Sequence, residues 1–155
     1  MSVAKVEAFV KGTPLEGRIL VSEESSATVA LAAEAFHTEP DQIAKTLSFL
    51  LDENTPIVVV ASGLARIDNK KYKGRFQKKA SMIPPEKVEE YTGYAPGGVC
   101  PFALKEGVRV FLDVSLKKYE KVYPAAGSSN SALPCTLEEL ETYSSFEEWV
   151  DVTKE

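Results

Sequence analysis

Val3, Val6 and Val10 recur one helical turn apart, so the chain opens on a short amphipathic helix. Gly12, Pro14 and Gly17 break that pattern, and Arg18 to Val21 is a short strand candidate. A second helix follows, with Ser25 and Ser26 as cap residues and Val29, Ala32, Ala33 and Phe36 on one face. Thr38 or Glu39 caps a restart with Pro40 in its first turn, continuing over Asp41 to Ala44. From Lys45 the period shortens. Leu47, Phe49 and Leu51 alternate with Thr46, Ser48 and Leu50, which predicts a strand with one buried face. Asp52 to Thr55 supply a turn. Pro56 to Ala61, β-branched and apolar, predict a central strand antiparallel to the first.

Asp68 is placed to cap a basic helix over Asn69 to Phe76. Ala80 to Ile83 reads as a short strand, and Pro84-Pro85 opens a helix through Tyr91 closed by Gly93. Tyr94 to Phe102 holds too much Gly and Pro for either regular element. Val108, Val110, Leu112 and Val114 alternate with Arg109, Phe111 and Asp113, a strand pattern. Ser115 to Tyr119 is a helical turn, Lys121 to Tyr123 a strand, and Gly127 to Ser131 a polar loop. Thr136 caps a helix through Tyr143 with Glu139 in the capping-box position. Phe146 to Val152 closes the chain as helix or strand. Strands outnumber the clear crossover helices. The expected class is therefore α/β of the α+β type, one domain over residues 1–155 with a mixed, largely antiparallel sheet flanked by helices.

Composition narrows the chemistry. The chain has 155 residues, 26% charged and 44% hydrophobic, the balance of an ordinary globular domain. Its two cysteines, Cys100 and Cys135, come without a secretion signal, which argues against a disulfide framework and for the cytoplasm. No apolar run approaches the roughly 20 residues that span a bilayer, so no membrane partner is expected. With one histidine, His37, a multi-His zinc site is excluded, and the cysteines form no CxxC pair. There is no Walker-type loop and no GxSxG elbow. No metal and no cofactor are expected, so chemistry must come from backbone groups, Lys, Ser, carboxylates or the substrate itself.

The net charge of -5 argues against a protein that coats nucleic acid with its whole surface. Yet Arg66, Lys70, Lys71, Lys73, Arg75, Lys78 and Lys79 crowd one stretch interrupted only by Asp68, whereas Glu138, Glu139, Glu141, Glu147, Glu148 and Asp151 crowd the C-terminal one. Such a basic run is either a solvated helix face or a local surface for a phosphate backbone, with Lys70, Lys71, Lys73 and Arg75 as its contacts.

Three further segments can carry chemistry. In Thr92 to Phe102, Gly97-Gly98 allows positive φ and close approach to a ligand, and successive N–H groups there can bind an anion or a developing oxyanion. Pro96 and Pro101 stiffen both ends; the alternative is an ordinary tight loop. Lys45, at a helix-to-strand junction, can hold a phosphate or carboxylate as a point charge or can simply be solvated. Cys100 is either a nucleophile, if a base such as His37 lies near, or an inert packing residue.

The order Ile43-Ala44-Lys45-Thr46-Leu47, Val58-Val59-Val60, Thr92-Gly93-Tyr94, Gly97-Gly98-Val99-Cys100-Pro101, an apolar strand ending in Asp113, and then Gly127 resembles the YbaK family. These are free-standing and prolyl-tRNA-synthetase-associated editing domains. The resemblance spans roughly Val21 to Val152. It implies a mixed or barrel-like β core flanked by helices, and hydrolysis of the ester that links a wrong amino acid to the 3′ end of a tRNA, here tRNA-Pro carrying Cys, Ala or another small residue. It implies as catalytic positions Lys45 and the loop Gly97, Gly98, Val99, Cys100 and Pro101, and as substrate contacts Thr46, Tyr94, Asp113, Gly127 and Ser128. The base it implies is the terminal ribose hydroxyl. The implied partners are an aminoacylated tRNA and prolyl-tRNA synthetase, with no role for DNA. Many members have Ser at Cys100 and Gly at Ala103, and alanine-specific relatives carry a histidine in the loop that here reads Gly127 to Ser131. Two other readings stand beside this one: a non-catalytic tRNA- or nucleotide-binding module on the same fold, and a Cys100-dependent hydrolase of another ester.

Overall fold

The computed structural model describes residues 2–26 and 28–155. In chain order the elements are α1 (Ser2–Val10), β1 (Leu20–Val21), α2 (Val29–Ala35), β2 (Ile43–Leu50), β3 (Pro56–Ser62), β4 (Arg66–Ile67), α3 (Asn69–Phe76), α4 (Pro85–Thr92), β5 (Arg109–Asp113), β6 (Lys121–Pro124), β7 (Ser131–Ala132), β8 (Cys135–Thr136), α5 (Leu137–Tyr143), β9 (Glu148–Val150) and β10 (Thr153–Lys154). Short 3-10 turns occupy Pro40–Gln42 and Val114–Lys118. The main sheet has the order β8-β6-β2-β3-β5-β9, and β1-β7 and β10-β4 form two small antiparallel ribbons. The β2–β3 hairpin is antiparallel, with Lys45 opposite Ala61; β6 lies parallel to β2, and β5 and β9 extend the other side in parallel. The sheet is mixed and curls into a half-barrel.

β3 is buried at every position because both its faces are covered. Val58, Val60, Val110 and Leu112 pack with Val6 and Val10 of α1, Leu140 of α5, and Tyr94, Cys100 and Phe102 of the irregular segment. On the opposite face Ile57, Val59, Phe49 and Phe111 pack under Tyr72 and Phe76 of α3. A smaller cluster joins Ala32, Ala33 and Phe36 of α2 to Ile43 and Ala132. Full burial of such side chains stabilises by roughly 1.5–3 kcal/mol each, so the faces define the fold.

The cap chemistry places several helix ends where the sequence predicts. Asp68 accepts the N–H groups of Lys70 and Lys71. α4 starts after Pro84 and ends on Gly93 at φ +89°. Thr136 and Glu139 form the capping box of α5. Three local expectations change. Thr28, not Ser25 or Ser26, caps α2: its hydroxyl accepts the Leu31 N–H, while the N–H and hydroxyl of Ser26 both donate to Ser129 O and tie that residue to the opposite loop. The turn at Pro40 stops at Gln42, because Ile43 and Ala44 pair with Tyr123 and Pro124. Ala80 to Ile83 makes a single bridge, Met82 with Phe49. Of the two readings for Phe146 to Val152 the strand holds, as β9, and β10 follows it.

Candidate functional site

β2 and β6 pair through only two positions, Ile43 with Tyr123 and Ala44 with Pro124. Beyond Ala44 the strands part, and the gap is a cavity of about 440 Å³. β2 lends it Lys45, Thr46, Leu47 and Ser48; α2 lends Val29, Ala32 and Phe36. Met82, Ile83, Pro85 and Val88 wall it from the side of α4, Pro96, Gly97 and Val99 from the loop after α4, and Tyr123, Ala125, Ser131 and Ala132 from the far side. A mostly apolar cleft of this size with a few polar groups is the usual form of a small-molecule site.

Among the described residues lining the cavity, Lys45 carries the one charge. It is half-buried, and its ammonium donates to Gly63 O at 3.1 Å and to Ala65 O. Burial pulls its pKa below the ordinary 10.5, and the negative charge of Asp41 works against that fall. Beside it, the Thr46 hydroxyl is buried and has no hydrogen-bond partner among the described residues. An unmet buried hydroxyl costs about 1–3 kcal/mol.

The loop is tied at both ends. Thr92 Oγ1 donates to Val88 O at 2.8 Å and accepts the Tyr94 N–H at 3.1 Å, and the Tyr94 hydroxyl donates to Phe102 O at 2.5 Å. Gly97 takes φ +87°, the left-handed region that favours glycine. The Gly98 N–H closes the turn onto Ala95 O at 3.0 Å. The N–H groups of Val99 and Cys100 have no protein acceptor among the described residues. Gly98 itself does not face the cavity. A Cβ there would lie 2.8 Å from Gly127 O and 2.9 Å from Ser128 Cα, so the two loops touch backbone to backbone. Ser128 in turn donates to Asn130 Oδ1 at 2.7 Å, and Asn130 Nδ2 to Ser22 O at 2.9 Å.

The predicted residues thus divide. Lys45, Thr46, Gly97 and Val99 meet at the cavity. Gly98, Gly127 and Ser128 support the loop from behind. Tyr94 is fully buried in the core and anchors the loop instead of lining the cavity. Pro101 lies on the loop's other side, beside Phe9 and Ala103. Cys100 is fully buried, donates to Phe102 O at 3.5 Å, and has its thiol pushed up to about 11 by burial; its titration is influenced by Phe102, Tyr94 and Lys5, not by a histidine. That environment is the opposite of a reactive cysteine's. Asp113 does not line the cavity; its buried carboxylate accepts the N–H groups of Ser115 and Val152 and the Thr153 hydroxyl.

α3 covers the sheet face opposite the loop, so its cations lie away from the cavity. Two of them face acidic partners. Lys71 pairs with Asp151 at 3.1 Å, and Arg75 pairs with Glu148 while lying over the Phe76 ring at 4.9 Å. The acidic C-terminal stretch, distant in sequence, folds against the basic one and offsets part of its field. Sequence reasoning missed the apolar wall from α2 and α4, which shows only as ordinary amphipathic spacing, and the bonds that surround Asp41.

The sequence profile of the aminoacyl-tRNA editing domain matches residues 23–143, and the chain belongs to that family, as a YbaK-like editing domain. YwhH of Bacillus subtilis (strain 168) is 44% identical over 155 residues, covering 100% of this chain and 99% of its own. The crystal structure of the protein APE2540 superposes with a TM-score of 0.85 at 31% identity, over 97% of this chain and 99% of its own. A proposed trans-editing enzyme for prolyl-tRNA synthetase superposes with a TM-score of 0.87 at 27% identity, over 99% of this chain and 98% of its own. Among the described residues, no helix is long and apolar enough to cross a membrane.

Proposed function

We propose that the protein is a trans-editing hydrolase that removes a small, wrong amino acid from tRNA-Pro in the cytoplasm, working beside prolyl-tRNA synthetase. A synthetase pocket separates small apolar side chains by only about 10–200-fold, and a second, hydrolytic site removes the error. An aminoacyl ester is already activated, so the protein need only position water and stabilise the tetrahedral oxyanion. In this reading the N–H group of Val99 receives the oxyanion, Lys45 holds the terminal phosphate or the aminoacyl end, and Thr46 contacts the substrate. Water adds to the ester carbon. The terminal ribose hydroxyl takes its proton and passes one to the departing ester oxygen, so the products are a free amino acid and intact tRNA.

The reading rests on one observation above others: Lys45, Thr46, Gly97 and Val99, residues of two separate sequence motifs, border one cavity. The buried, weakly acidic Cys100 thiol gives no support to a cysteine nucleophile. The test is single-turnover deacylation of a panel of tRNAs mischarged with Ala, Cys, Ser and Pro. Release of at least one non-cognate amino acid, suppressed in Lys45→Ala, is expected. Wild-type protein that binds these tRNAs and releases none would instead leave a binding module.

A further inference from the structure

Asp41 and Lys45 hold opposite ends of one peptide group. Lys45 donates to Gly63 O at 3.1 Å, while the next N–H, that of Leu64, donates to Asp41 Oδ1 at 3.3 Å. Gly63 C=O and Leu64 N–H belong to the same peptide unit, which is trans, so its two polar ends point in opposite directions. The turn is pinned around this unit. The Ser62 hydroxyl donates to Asp41 Oδ1 and, at 3.0 Å, to Asp41 O. Ala65 N–H donates to Ser62 O at 3.1 Å. Gly63 is seated so tightly on Pro40 that a Cβ would fall 2.0 Å from Pro40 O. The second carboxylate oxygen of Asp41 accepts Lys118 Nζ at 2.8 Å, and Lys118 also meets Glu155 at 3.0 Å.

We infer that Asp41 is a positioning residue for Lys45, acting through the Gly63–Leu64 peptide group. The carboxylate fixes the direction of the Gly63 carbonyl, one of the two that receive the ammonium, and polarises the peptide between them, so the two hydrogen bonds strengthen each other. Asp41 also opposes the fall in Lys45's pKa that burial brings. The charges bearing on Lys45 are few. Asp41 acts from the 3-10 turn, and Lys118 and Glu155 reach it through Asp41. α2 turns only Val29, Ala32 and Phe36 to the cavity. Lys118 competes with Lys45 for the influence of the same carboxylate.

That competition gives a test of opposite signs. Lysine side chains labelled with 13C are followed by NMR through an alkaline titration, the Lys45 signal being assigned by its loss in Lys45→Met. In Asp41→Asn the Lys45 midpoint should fall below that of the wild type; in Lys118→Met it should rise. Disruption of the turn alone would move both variants the same way. This measurement needs no tRNA, so it stands or falls apart from the editing reading on which the inference rests. If deacylation is found, Asp41→Asn should lower kcat by tenfold up to about a hundredfold, the scale of a 1 Å misplacement, with a smaller change in KM. A Lys45 midpoint unmoved in both variants, or moved the same way in both, overturns the proposal.

Discussion

Replacing Gly98 with alanine tests the contact between the two loops. Gly98 is not in the left-handed region, so the substitution carries no φ penalty, and its effect is steric. The new Cβ meets Gly127 O at 2.8 Å and Gly127 C and Ser128 Cα at 2.9 Å, all backbone atoms that cannot swing aside. Ordinary contact begins at 3.4 Å, so one loop must retreat by about 0.5 Å or more. Overpacking of this kind costs about 1–3 kcal/mol. For a domain of this length that lowers the melting temperature by roughly 2–12 °C. The retreat displaces the N–H groups of Val99 and Cys100, the next two in the chain. Losing one oxyanion donor costs on the order of a hundredfold or more in rate, and the single-turnover rate should fall on that scale. Gly74→Ala is the control: it lies inside α3 with nothing within 4 Å of the added Cβ, and should stabilise by about 0.5–1 kcal/mol with the rate unchanged. A Gly98→Ala protein that melts and deacylates like the wild type would show that the loop contact governs neither stability nor chemistry.

Lys45→Ala should remove most deacylation while circular dichroism and the melting curve stay near wild type, because it strips two carbonyls of one donor without opening the core; an unfolded variant or an undiminished rate contradicts this. Cys100→Ser should keep the wild-type rate, and iodoacetamide should label native Cys100 hardly at all at pH 8, because the thiol is buried with its pKa pushed up to about 11; rapid labelling with loss of activity would restore the cysteine mechanism. Lys70→Glu with Lys73→Glu should weaken tRNA binding and flatten its salt dependence by about 0.7–0.9 in log–log slope per lost phosphate contact, with the saturated rate unchanged; equal slopes would leave α3 a solvated face. Burial raises the Asp41 pKa, but the bonds from Lys118, Ser62 and Leu64 outweigh it and hold the group below 3.8. Its contribution to stability is therefore full above the unfolded value and lost as pH falls through the folded one. Acid melts below pH 4 should narrow the gap between wild type and Asp41→Asn, and a constant gap refutes the assignment.

The sequence carried the elements whose causes are local. Asp68, Gly93 and the Thr136–Glu139 box mark helix ends because a cap needs only neighbours a few residues away. The all-apolar run of β3 announced a central strand for the same reason. What the sequence could not show depends on pairing at long range. The cavity exists because β2 and β6 part after two residues, and no spacing in either strand encodes that. Asp113 sits where the family pattern suggests a site, yet two of its three donors, Val152 and Thr153, come from a distant part of the chain. Ser26 had the right chemistry for a cap and was claimed by Ser129. The basic run looked uncompensated because Asp151 and Glu148 reach it only through the sheet edge. Asp41 gave no signal at all, since one carboxylate after a proline looks like any first-turn residue.

The anchoring of Val152 and Thr153 by Asp113 bears on how the protein is handled in the laboratory. The last residues are a docked strand: Thr153 and Lys154 pair with Ile67 and Arg66, Arg66 donates to Glu155 O at 2.9 Å, and the Glu155 side chain meets Lys118. An affinity tag fused directly after Glu155 would begin inside that clasp, one ion pair from Asp41 and one peptide group further from Lys45. Loss of residues 153–155, or a tag there without a spacer, should then shift the Lys45 titration although every cavity residue is intact. Preparations that behave differently should be compared for the integrity of residues 151–155 before any variant is interpreted.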